Sequence, residues 1–260
     1  MIMLTLMGVF FSVPGSLKRK IIFWGTFFEN PQHVRARVRP VLITPLEAAE
    51  LYALLAQVQS LLQDAGIAFF LESGSLLGAA RHQGLIPWDD DIDLSVEMRD
   101  EKKLLTLMKE VMPRYGFRGV LERGFIWKIS SEDKPHVWVD IFLVTSFEDD
   151  TVHYAAKQGR CLWPQNYYRK AEIFNKQSEL DCVELPFGPL QVKAPRGFSK
   201  YLDRAYGGWR RYAIISRHSV GYVDCVLFSQ YPELKRPVLW DRAHFDQCMQ
   251  AFELKKKALS

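Results

Sequence analysis

The chain has 260 residues, 48% of them apolar and 25% charged, a balance that argues against disorder. No uncharged apolar run reaches the roughly 18 residues of a spanning helix, and the four cysteines (161, 182, 225 and 248) form no C-x-x-C pair, which argues against a zinc ribbon or redox dithiol and for a reducing compartment. The net charge of +4 is uneven: residues 1–40 hold six Lys/Arg and one Glu, whereas the other 220 hold 28 basic and 29 acidic residues, so no nucleic-acid partner is expected of the folded body.

The N-terminal stretch runs from apolar Met1–Val13 through Pro14-Gly15 and Lys18-Arg19-Lys20 to apolar Ile21–Phe28. Its charges follow the apolar run, the reverse of a secretory signal. Three readings stand: a segment resting on an anionic membrane surface, a strand or helix packed on the body, or a misassigned start. Thr44-Pro45-Leu46-Glu47 has the form of a capping box with proline at the first helical position. Leu51, Leu54, Leu55, Val58, Leu61 and Leu62 continue it at helical spacing to a cap at Gly66.

Ile67–Leu71 reads as a buried strand, Ser75–Arg81 as a short helix and Ile92–Val96 as a second strand. Lys102–Met112 reads as a helix stopped by Pro113, and Phe117–Leu121 pairs with Phe125–Ile129 across Arg123-Gly124. Val137–Val144 carries the strongest strand pattern, and short helices are predicted near Gln165–Phe174 and Ser199–Tyr206. The expectation is an α+β (mixed α/β) core with an appended helical C-terminal part. The predicted division is an extension over 1–40, a catalytic domain over 41–220 and a helical tail over 221–260.

Between Asp89 and Glu101 lie seven acidic residues and one Arg. Like charges so close disfavour folding unless a positive partner offsets them. On a strand, Asp91 and Asp93 share one face while Ile92 and Leu94 face the core. Two carboxylates on one rigid strand form a hard-oxygen site suited to Mg²⁺, with Mn²⁺ the alternative. Asp140 interrupts the apolar run Val137–Leu143, where a bare carboxylate is costly to bury. If its strand lies beside the Asp91/Asp93 strand, all three meet one metal. Gly74-Ser75, after a strand and before a helix, suits close approach to phosphate.

The run Glu72–Asp93, with Gly74-Ser75-Leu76-Leu77-Gly78-Ala79-Ala80-Arg81-His82 and Ile86-Pro87-Trp88-Asp89-Asp90-Asp91-Ile92-Asp93, resembles the signature of the LicD/fukutin family. Trp127-Lys128-Ile129, Val139–Phe142, Phe187-Gly188, Tyr206–Trp209 and His218 resemble its later blocks, so the likeness spans about Thr44 to His218. The resemblance implies a nucleotidyltransferase-like mixed sheet flanked by helices. It also implies a phosphotransferase that moves phosphocholine or a polyol phosphate from a CDP-linked donor to a glycan hydroxyl. By residue match, Asp91, Asp93 and Asp140 would hold the metal and carry catalysis, with Gly74 and Ser75 facing the donor phosphates. One departure is that the family usually has Asp where this chain has Gly208, and a Pro soon after Trp209 is absent.

Arg81 and His82 either meet donor phosphate or pair with the acidic run. Lys128, an amine in an apolar strand, needs a phosphate or Asp140 beside it. Trp88 is expected to pack rather than to stack a base. Residues 196–217 hold six Lys/Arg against Asp203, either a solvated face or a seat for an anionic substrate. The expected partners are a CDP-linked alcohol and a glycan acceptor, with peripheral membrane contact through residues 1–40. The expected location is cytoplasmic or, in a eukaryotic cell, the Golgi lumen. Two other readings stand: a nucleotidyltransferase that uses the same carboxylates to add a nucleoside monophosphate to a small alcohol, and, motivated by the basic apolar N-terminus, a non-catalytic membrane-associated partner in glycan assembly.

Overall fold

In the computed structural model the described residues are 5–6, 9–10, 42–122, 126–146, 151–154, 174–175, 181–217 and 222–259. β1 (Thr5–Leu6) and β2 (Val9–Phe10) form a short antiparallel pair. The rest of residues 1–40 and His218 lie outside the described residues, as does the helix expected near Gln165–Phe174 except for Phe174 itself, which stands in a strand. No helix among the described residues is long and apolar enough to cross a membrane.

α1 (Pro45–Asp64) begins at the expected capping box. Thr44 Oγ1 accepts the Glu47 N–H at 3.2 Å, and Glu47 Oε2 accepts the Thr44 N–H at 2.7 Å. Two helix-start donors are thereby satisfied, and Pro45 sets φ for the first turn. The leucine stripe from Leu51 to Leu62 is buried. β3 (Phe69–Leu71), α2 (Ser73–His82) and β4 (Asp91–Glu97) follow, close to their predicted places.

The helix expected over Lys102–Met112 is broken into pieces. A 3-10 turn (Met98–Asp100) leads into α3 (Glu101–Thr106), a π-helical turn (Leu107–Val111) and a second 3-10 turn (Met112–Tyr115). The ring of Pro113 cannot sit over the Lys109 carbonyl in a regular helix. The chain opens before Pro113 and tightens after it instead of stopping there.

β5 (Phe117–Glu122), β6 (Ile126–Ser131) and β7 (Trp138–Ser146) complete a sheet in the order β3-β4-β7-β6-β5. β8 (Thr151–Tyr154) extends from the far end of β7, and β9 (Phe174–Asn175) pairs with β8. Every pair is antiparallel except β4–β7, which is parallel, so the sheet is mixed as expected. Ile92, Leu94 and Val96 of β4, Val139, Ile141 and Leu143 of β7, and Ile129 of β6 are completely buried on one face. The other face carries Asp91, Asp93, Trp138, Asp140 and Lys128.

The C-terminal part adds two antiparallel hairpins to its helices. β10 (Cys182–Phe187) pairs with β11 (Leu190–Pro195), α4 (Phe198–Ala205) follows, and β12 (Tyr212–Arg217) pairs with β13 (Tyr222–Leu227). Pro186 and Pro189 interrupt the first hairpin's alternation and hide it in the sequence. The Gly188 N–H donates to the Gln83 carbonyl at 2.7 Å and Tyr52 Oη accepts the Leu85 N–H at 3.1 Å, so the hairpin, α1 and the loop before the acidic run are tied together. α5 (Arg242–Leu259) lies along α1, held by Gln57 to the Cys248 carbonyl (3.2 Å), Lys256 to Ser60 Oγ (2.8 Å) and a Lys256–Asp64 ion pair.

Candidate active site

Strand register assembles the site. The parallel pairing of β4 and β7 sets Asp93 opposite Asp140 and Asp91 opposite Trp138. The antiparallel pairing of β7 and β6 sets Asp140 opposite Lys128. Neighbouring residues across a ladder point to the same face, so Asp93, Asp140 and Lys128 form one row across three strands. Oxygens of Asp91, Asp93 and Asp140 lie within 4.8 Å of one another. Asp89, Asp90 and Asp91 form a second such group that shares Asp91.

The start of α2 is fastened to this strand. The Gly74 N–H donates to Asp93 Oδ2 at 3.1 Å, and the Asp93 N–H donates to Ser75 Oγ at 2.8 Å. A Cβ on Gly74 would lie 2.8 Å from Asp89 Oδ2 and 3.3 Å from Asp93 Oδ2, so glycine lets the carboxylates reach the helix end. Gly74 and Ser75, expected to face donor phosphates, are thus engaged with Asp93. Behind them Glu72 is buried; its carboxylate accepts from the Ser95 hydroxyl and, at 3.1 Å, from the Tyr201 hydroxyl of α4. Sequence reasoning missed Glu72, Asp89 and Tyr201. Asp89 stood in the acidic run and Glu72 at a strand break, but no local signal marks Tyr201.

Burial, then the charges of Asp91, Asp89, Asp140 and Glu72, raise the Asp93 pKa well above its ordinary value. Asp89 is raised likewise by burial, by the charge of Asp91 and a side-chain hydrogen bond with it, and by Asp90. Lys128 Nζ lies 3.7 Å from Asp140 Oδ1 and 4.1 Å from the centre of the Trp138 ring. One ammonium does not balance this many acids. Hard oxygen donors from two adjacent strands, crowded enough to raise one another's proton affinity, fit a divalent cation such as Mg²⁺.

Arg81 and His82 sit at the other end of α2. Arg81 Nε donates to His82 Nε2 at 2.8 Å, and Nη1 donates to the Trp209 carbonyl at 3.4 Å. Burial lowers the Arg81 pKa to about 10 against the opposing charge of Asp89, and burial with the Arg81 charge lowers His82 to about 3. Trp88 is buried and meets the His82 ring edge-on at 5.9 Å, so it packs as expected. In the basic segment, Arg196, Lys200, Arg204, Arg210 and Arg211 are exposed. Arg210 pairs with Asp203, donates to Ser199 Oγ at 2.7 Å and covers the Trp209 ring. Gly208 has φ +75°, and a Cβ there would fall 2.3 Å from Tyr212 Cζ, so the Tyr212 ring occupies the space that an Asp would need.

The profile of the family described as LicD/FKTN/FKRP, nucleotidyltransferase domain, matches residues 66–197, from before β3 to just beyond β11. An uncharacterized protein of Rickettsia typhi is 31% identical over 71% of this chain and 54% of its own length. The ribitol 5-phosphate transferase FKRP of Homo sapiens is 33% identical over 60% of this chain and 28% of its own. The lipopolysaccharide cholinephosphotransferase LicD of Haemophilus influenzae is 46% identical over 56% of this chain and 68% of its own. The chain thus spans about half the length of the Rickettsia typhi relative and less of FKRP.

Proposed function

Since the chain belongs to the LicD/FKTN/FKRP nucleotidyltransferase-domain family, we propose that it is a phosphotransferase moving a phospho-alcohol from a CDP-linked donor to a glycan hydroxyl. The observation that carries this reading is the convergence of Asp91, Asp93 and Asp140 on one sheet face. These three carboxylates would hold Mg²⁺, or Mn²⁺ in its place. Bound there, the ion would supply neutralisation of the donor's diphosphate charge. Gly74 and Ser75 keep Asp93 in register with Asp140, while Arg81 and Lys128 supply the cationic contacts to phosphate. The acceptor oxygen attacks the phosphorus that bears the alcohol. A new P–O bond forms, the P–O bond to CMP breaks, and CMP leaves. The acceptor's proton passes to a carboxylate, for which we assign Asp140. Residues 1–40 supply peripheral membrane contact, tested by liposome flotation with and without them.

The test combines calorimetry and product mass. CDP-choline, CDP-ribitol, CDP-glycerol, CTP and ATP are titrated with and without Mg²⁺ into wild type and Asp91→Asn, and products with a glycan acceptor are weighed. Metal-dependent binding of one CDP-alcohol, lost in Asp91→Asn, with release of CMP, is the expected result. Asp91→Asn and Asp93→Asn are each expected to lower turnover by at least about a thousandfold, as for loss of a metal site that stabilises transition-state charge, while circular dichroism stays unchanged. Full activity in either variant would sink the assignment. A product heavier by a nucleoside monophosphate would replace it with nucleotidyl transfer, and absence of divalent-metal binding would favour a non-catalytic role.

A further inference from the structure

The transfer reading gives Arg81 a contact to phosphate but leaves His82, hydrogen-bonded to it, without a part. The Arg81 guanidinium carbon lies 5.7 Å from the Trp88 ring centre and 5.2 Å from that of Phe228. Nε is committed to His82, and Nη1 reaches the Trp209 carbonyl. Among the described residues no carboxylate pairs with Arg81 within ion-pair distance, although Asp89 is near enough to act on its charge. Nη2 has no partner among them. A half-buried guanidinium held over rings, with donors to spare, is a preformed anion contact. Gly74 and Arg81 are seven residues apart on α2. They therefore share a helix face, about 10 Å from one another. One end of that face meets the carboxylate cluster and the other carries Arg81.

His82 itself is only 1% exposed, and its Nε2 is spent as an acceptor, so it reaches no ligand. We propose that His82 is a positioning residue: by accepting from Arg81 Nε it holds the guanidinium, stacked on Trp88 and Phe228, with Nη2 open to the diphosphate of the donor. This rests on the donor reading above. A neutral imidazole suits the task because only the deprotonated ring nitrogen accepts from an arginine.

The probe is inorganic pyrophosphate with saturating Mg²⁺, titrated calorimetrically into the full chain. His82→Phe and His82→Leu remove the acceptor, and His82→Gln retains one. Without the acceptor Kd is expected to rise about tenfold, the scale of one hydrogen bond to a charged group, and His82→Gln is expected to recover most of the loss. Arg81→Lys alone weakens binding, and adding His82→Phe to it costs nothing more, because both changes remove one contact. The proposal is overturned by additive losses in that double variant, by unchanged affinity in Arg81→Lys, or by wild type that binds no pyrophosphate. Unchanged affinity in both non-acceptor variants, with only a lowered melting temperature, likewise reduces His82 to a packing role. Because the readout is binding, failure of the transfer reading stays distinguishable: protein that binds pyrophosphate through Arg81 yet forms no product sinks that reading and leaves this one standing.

Discussion

Asp93 is surrounded by other acids, with Asp91, Asp89, Asp140 and Glu72 all adding to the effect of its burial. Its folded pKa lies above the unfolded 3.8, so folding takes up protons between those values. The stability lost in this way grows as pH rises through the raised pKa, and Asp89 acts in the same sense. Chelator-treated protein is therefore expected to melt at a lower temperature at neutral pH than under mildly acidic conditions. Saturating Mg²⁺ should raise the neutral-pH value most, and Asp93→Asn should flatten the slope. Scanning calorimetry across pH checks this, and a melting temperature that climbs toward neutrality in the chelated protein would contradict it. Much of this chemistry was legible in the sequence. Asp91 and Asp93 stand two apart, and Asp140 breaks an apolar run, so pattern alone names three carboxylates. Glu72 and Tyr201 were not legible, because a hydrogen bond between a strand end and a distant helix leaves no local periodicity.

Two glycines show how elements are held around the site. Gly188 has φ +61°, and a Cβ there would fall 2.3 Å from Cζ of the buried Tyr52 ring. Gly188→Ala is expected to cost about 3 kcal/mol, from the left-handed backbone and overpacking together, and chemical denaturation measures it. Gly208 differs, since the Tyr212 ring that it faces is only partly buried. Gly208→Asp, which restores the family's usual residue, is expected to cost about 2 kcal/mol. Tyr212→Ala in that background should recover part of the loss by freeing the space; no recovery in the denaturation midpoint would mean that backbone conformation alone sets the cost. The ends of α1 and the limits of β4 and β7 could be read from caps and alternation. The break-up of the predicted Lys102–Met112 helix could not, because one proline permits several local solutions. Nor could the β10–β11 hairpin, whose prolines mask its alternation.

Across the whole molecule, α5 packs along α1. Glu50 on α1 takes Lys134 at 2.6 Å, His136 at 3.1 Å and His244 of α5 at 3.4 Å. Burial alone would raise its pKa, but Lys134 and His136 outweigh that and hold it below the ordinary 4.5. This stabilisation is present above the unfolded value and lost as pH falls through the folded one, the opposite sense to Asp93. Glu50→Ala is expected to cost about 1 kcal/mol by removing the carboxylate beside a partly solvated Lys134, which keeps its contact with His244, with transfer activity per folded molecule unchanged. Thermal melting and an activity titration separate the two effects. The parallel β4–β7 ladder has a consequence in time. It joins strands with α3, β5 and β6 between them in the chain, and such non-local parallel pairing is slow to form. Asp140 joins Asp91 and Asp93 only when this ladder closes, so capture of a divalent cation by all three carboxylates is expected to mature with that pairing. A metal-sensitive fluorescence signal would then lag behind the helical signal of α1, and the site would report the moment at which β4 and β7 pair.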